Sequence, residues 1–211
     1  MIIQGQVGAV ATSSSLAAGS QTISRFGNMG DQIVSELHGR YYETTYRRAM
    51  FVAANPTGVT LNATTSGTTV STMIGILTYN PINSPVNLVL NKVGYTVTVA
   101  PAAIAPMFLG IGYNAGTNVT HTTALTVRSA FTGVGAAGYG GADTSFTLPT
   151  AANFTHVLGN VFTTVSTNSP TFVDLEGSVI LPPGAYAGIF STVASGGSGF
   201  FGSMSWEEVP V

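Results

Sequence analysis

The chain has 211 residues, enough for one sizeable domain with its own core, and 45% of them are apolar. Only 7% are charged, against about 25% in an ordinary globular domain, which leaves few groups for acid–base or metal chemistry. A formal charge of −2 argues against steering towards nucleic acid or an anionic membrane, and the absence of cysteine excludes disulfides, thiolate catalysis and cysteine-ligated metal centres.

The charges divide the chain into three parts. Arg25, Asp31, Glu36, Arg40, Glu43, Arg47 and Arg48 place seven of fourteen charged residues within 24 positions. Only Lys92, Arg128, Asp143, Asp174 and Glu176 follow before Glu207 and Glu208. Residues 1–30 therefore read as a Gly/Ser/Ala arm that is extended until another surface orders it. It opens MIIQGQVGAVATSSS, without the basic and apolar regions of a signal peptide, so no Sec export is expected.

Residues 31–48 form a charged, aromatic connector. Glu36 with Arg40 and Glu43 with Arg47 are i,i+4 pairs in the favourable order, while Gly39 and the Thr44-Thr45 pair oppose a long helix. One or two helical turns are expected.

Residues 49–211 read as strands separated by turn residues, with stretches rich in Val, Ile, Thr and aromatics. The expected strands are 50–53, 59–63, 68–79, 86–92, 95–100, 107–113, 124–131, 145–148, 161–166, 172–181, 186–192 and 200–207. Asn55-Pro56, Asn80-Pro81, the glycines of 133–141 and Pro182-Pro183-Gly184 punctuate them. The most apolar window, 97–113, is broken by Thr98, Pro101 and Pro106, so no membrane-spanning helix is expected. Many short strands without amphipathic helices between them imply an all-β, antiparallel sandwich of single jelly-roll type, preceded by the arm. The lone Trp206 is expected to anchor its core.

Most apparent motifs fail on context. Gly133-Val-Gly135-Ala-Ala-Gly138 matches a dinucleotide fingerprint, but Tyr139-Gly140-Gly141 follows where a helix should start. His38, His121 and His156 lack metal-ligand spacing, so no metal or cofactor is expected. Asp174 and Glu176 read as a solvated edge or a contact for Arg128 or Lys92. The sequons at Asn62, Asn118 and Asn153 read as chance in so Asn- and Thr-rich a chain. No nucleophile elbow occurs, and the chain is expected not to be an enzyme.

The connector resists the bland reading of a solvated face. Tyr41, Tyr42 and Tyr46 alternate with Arg40, Arg47 and Arg48, the residue types enriched at protein interfaces. Together with Glu43 they form the expected partner-binding surface. Glu36 and Glu43 nearly neutralise it, so direct nucleic-acid contact is not expected.

The string from Gly30-Asp31 to Tyr42-Glu43, the Thr/Gly/Ala-rich β body, Leu181-Pro-Pro-Gly184 and the terminal Trp206-Glu-Glu-Val-Pro210 together resemble virion structural proteins of tailed bacteriophages. The resemblance implies a jelly-roll subunit attached to a capsid, assembled in the host cytoplasm, and it transfers no catalytic residue. A decoration, cement or head-fibre protein follows, favouring a homotrimer that braces the major capsid protein or another virion protein without chemistry. The alternative is a carbohydrate-binding or host-recognition module of a fibre or tail, with Tyr139, Phe200 or Phe201 as stacking platforms.

Overall fold

The computed structural model describes residues 40–68, 72–133, 135, 138–165 and 168–211, and for Glu43 the backbone alone. The expected arm, 1–30, and the connector up to residue 39, including His38, lie outside the described residues.

The connector supplies one helical turn, α1 (Tyr42–Tyr46). The strands are β1 (Met50–Ala54), β2 (Met73–Tyr79), β3 (Val86–Val97), β4 (Ala105–Tyr113), β5 (Thr120–Ala124) and β6 (Arg128–Ser129). They continue with β7 (Gly141–Thr147), β8 (Asn153–Val161), β9 (Thr171–Leu181), β10 (Ala185–Ser191) and β11 (Phe200–Pro210). The all-β expectation is borne out. The strands form two antiparallel sheets, one ordered β6-β1-β11-β3-β9 and the other β5-β7-β2-β10-β4-β8. Both belong to the unit spanning residues 43–211.

The pairing is nested. β1 pairs with β11, β2 with β10, β3 with β9 and β4 with β8, so four outgoing strands each meet a returning one. The short strands β5, β6 and β7 branch from the middle of this ribbon and extend one edge of each sheet.

Strand alternation builds the core. Leu88, Leu90, Val179, Leu181, Ile189 and Trp206 pack between the sheets, with Phe51 stacked on Trp206 at 6.4 Å. A smaller cluster holds Met73, Leu77, Phe146, Tyr186 and Phe190 with Val119, Leu148 and Ala152 from connecting loops. Ile76 and Leu77 are neighbours on β2 yet belong to different clusters, which places the second cluster on the far face of the six-stranded sheet.

Two turn signals do more than turn. The buried Asn55 donates from Nδ2 to the Thr57 and Phe200 carbonyls and accepts from the Gly202 N–H. The buried Asn80 donates to the Val86 and Leu181 carbonyls. Each ties backbone groups of separate strands together through one side-chain amide.

Several expected boundaries shift: β2 begins at Met73 and not at 68, and β7 begins at Gly141 and not at 145. Segments 86–92 and 95–100 are one strand, β3, because β11 and β9 pair with it on both sides through Gly94. Segment 59–63 crosses between the sheets, bridging Val59 to Phe200 and Ala63 to Ser191. Of segment 124–131, only Ala124, the last residue of β5, and Arg128–Ser129, which form β6, are in strands, and β5 and β6 join different sheets. The strand expected at 161–166 lies earlier, as β8, whose largely exposed residues carry little alternating pattern.

Candidate functional site

The described part of the connector is built on α1. The N–H of Arg48 donates to the Thr45 carbonyl and that of Ala49 to the Thr44 carbonyl, the paired bonds of a Schellman helix stop. The residue in the left-handed position of that stop is Arg48, at φ 62°, where glycine is usual.

This conformation lays the Arg48 guanidinium 5.6 Å over the Phe131 ring. Tyr46 meets the same ring edge-on at 6.1 Å. Tyr46 is 54% exposed and Phe131 46%, so the three side chains form an open aromatic and cationic patch beside β1 and β6. Arg47 is exposed, and its charge partly offsets the burial that pushes the Glu207 carboxyl above the usual range. Arg40 lies 5.5 Å over the ring of its neighbour Tyr41, and Tyr42 is exposed on α1. Of the expected surface, Tyr46 and Arg48 thus come together around Phe131. Phe131 was missed because it stands 83 positions beyond Arg48, and β6 pairing with β1 brings it there.

A second constellation joins β5, β7 and β2. His121 Nδ1 lies 2.6 Å from Asp143 Oδ2, and the Asp143 side chain is 0% exposed. Tyr79 faces the imidazole at 4.5 Å between centroids. Burial pushes the Asp143 carboxyl up, and the hydrogen bond and charge of His121 pull it back. The Tyr79 hydroxyl is pushed up to about 12 by burial and by the Asp143 charge. A buried carboxylate holding an imidazole is the orienting half of an acid–base site. Among the described residues, Asp143 is the hydrogen-bond partner of His121.

The glycine-rich stretch leads into the strand β7 and not into a helix, so the context that a dinucleotide fingerprint needs is missing. It is pinned instead. The Glu208 carboxylate accepts the N–H groups of Tyr139 and Gly140 at 2.8 and 2.9 Å.

Asp174 and Glu176 are both exposed on the edge strand β9. Glu176 has φ 54° and its N–H donates to Asp174 Oδ1, within a bulge that interrupts pairing with β3 between Asp174 and Val179. Asp174 does stand opposite Lys92 in the register.

Of the expected stacking platforms, Phe200 is 0% exposed and packs in the core, so it cannot face a ligand. Tyr139 is exposed on its loop, and Phe201 is half-buried beside a recess on the outer face of the five-stranded sheet.

No group of three His, Asp or Glu among the described residues could hold a metal ion. No helix among them is long and apolar enough to cross a membrane. The chain matches no family model, no curated protein and no solved structure.

Proposed function

We propose that the chain is a virion structural protein of a tailed phage, a capsid decoration, cement or head-fibre subunit of jelly-roll fold. It braces the shell by non-covalent contacts and not by catalysis. The nested order β1-β11-β3-β9 against β2-β10-β4-β8 supports the jelly-roll reading, because a ribbon of four paired strands wrapped into two sheets produces that order.

The observation that carries the function is an exposed aromatic patch on an almost uncharged body. Tyr46, Phe131 and Arg48 combine the residue types that dominate interface energetics, and Tyr42 and Arg47 stand close in sequence. From Ala49 to Trp206 there are only five charged residues, one of which, Asp143, is buried, and Val157 and Ile180 are exposed on the surface. Such a surface suits burial against copies of the same chain and against a shell. The partner is the major capsid protein or another virion protein, reached through Arg40, Tyr41, Tyr42, Glu43, Tyr46, Arg47 and Arg48. The site of action is the virion, assembled in the host cytoplasm.

Sedimentation velocity on the full chain tests the reading. A homotrimer that forms no closed shell by itself is expected of a decoration subunit. A monomer at every concentration would overturn it, and closed particles in negative stain would move the chain from decoration to shell.

A further inference from the structure

The outer face of the five-stranded sheet carries a trough of about 300 Å³, at the lower end of ligand-site volumes. Its shape follows from the register. Ala54, Ser203, Gly94 and Phe172 stand opposite one another on β1, β11, β3 and β9. Three small residues make a floor and the fourth makes a wall. A side chain at Gly94 would meet the Phe172 ring at 2.6 Å, so glycine lets the ring lie low across the strand. Phe172 is 74% exposed, and a second recess of about 190 Å³ opens on its other side beside Phe201.

The adjacent row is charged. Arg128, Val52, Ser205, Lys92 and Asp174 stand opposite one another across all five strands. Arg128 and Lys92 are the only cationic side chains between residues 49 and 211, and both line this trough. One N–H of Arg128 is committed to the Gly133 carbonyl, and a guanidinium carries five.

We propose that this trough binds an acidic saccharide, one sugar ring stacked on Phe172 and a carboxylate held by Arg128. The floor strands β1, β11 and β3 are paired on both sides, so no backbone edge is free there to receive a peptide as an added strand. What the trough offers is an aromatic face and charged donors, and these recognise a ring bearing hydroxyls and a carboxylate. Asp174 stands opposite Lys92 at the end of the charged row away from Arg128, and its charge disfavours a second anionic group there. This function does not depend on assembly, because the trough is complete within one chain.

The test is an array of uronate-bearing, sialylated and neutral oligosaccharides probed with the full chain, followed by titration calorimetry on the best acidic and neutral binders. The proposal expects acidic saccharides to bind and neutral ones not to. Phe172→Ala and Arg128→Gln should each weaken binding at least tenfold with an unchanged melting temperature, and Phe172→Tyr should retain it. Absence of binding to every acidic saccharide would overturn the proposal. So would affinity indifferent to both substitutions, or equal affinity for neutral sugars. Self-association abolished by Phe172→Ala, with no saccharide bound, would assign the trough to contact between copies and overturn it too.

Discussion

Asp143 shows how one side chain sets a pH dependence. Its carboxyl is buried, one oxygen is 2.6 Å from His121 Nδ1, and the other has no hydrogen-bond partner among the described residues. Burial raises its pKa above the ordinary 3.8 despite His121. An acid raised on folding binds its proton more tightly in the native state, so the stability it contributes is complete below the unfolded value. That contribution is lost as pH climbs through the folded value. Glu207 acts in the same direction. Asp143→Asn keeps an acceptor for His121 and removes the titration. The wild-type melting temperature should fall more steeply than that of the variant from about pH 4 upward. Parallel melting curves across that range would rule this out.

Arg48 gives a second expectation at the same scale. A left-handed non-glycine residue costs about 1–2 kcal/mol, and an exposed cation–π contact returns about 0.5–1 kcal/mol. Arg48→Gly should therefore leave thermal stability unchanged or slightly raised while weakening self-association or particle binding. A melting temperature lowered by several degrees would show instead that the guanidinium holds the fold.

Elements are held to one another here by polar clips as well as by pairing. Glu208 on β11 accepts two backbone N–H groups of the loop that enters β7, and that loop lies against the core. A side chain at Gly140 would meet Leu88 at 2.8 Å and Trp206 Nε1 at 3.0 Å. Hydrogen bonds to a charged acceptor are worth about 1.5–3 kcal/mol, less when solvent shares the site, so Glu208→Ala should destabilise by about 1–2 kcal/mol. Amide exchange at Tyr139 and Gly140 should accelerate in the variant and elsewhere change little. Unaltered exchange there would mean that the loop is held by apolar contacts alone. The bulge in β9 works at this scale too. Between Asp174 and Val179, β9 spends four residues opposite Asn91 alone, with Glu176 and Gly177 at positive φ. A break of this kind interrupts an exposed edge that could otherwise pair with another chain.

For the whole molecule, assembly of the proposed kind would rest on apolar contact. Lys92 and Arg128 lie on one face, leaving few charges to repel or orient neighbouring copies elsewhere. Association driven this way responds weakly to ionic strength, since screening acts on charges and not on apolar area. The trimer expected in sedimentation should therefore persist at about 1 M salt, where the Debye length is about 3 Å. Dissociation on adding salt would assign the interface to Arg40, Arg47 and Arg48 acting as charges.

The all-β class, the strands β1, β4, β9, β10 and β11 to within a few residues, and the burial of Trp206 were legible in the chain alone. Period-two patterning and Asn-Pro or Pro-Pro-Gly punctuation are local properties, and a strand with one buried face must display them. The edge strand β8 was misplaced because its exposed residues bear no such pattern. The nested pairing, the His121 contact with Asp143 and the meeting of Tyr46, Arg48 and Phe131 arise between residues far apart in sequence. So do the two transverse rows that shape the trough, which need five strands in one register. Register is chosen by the sum of contacts over paired strands, and no single strand carries that sum.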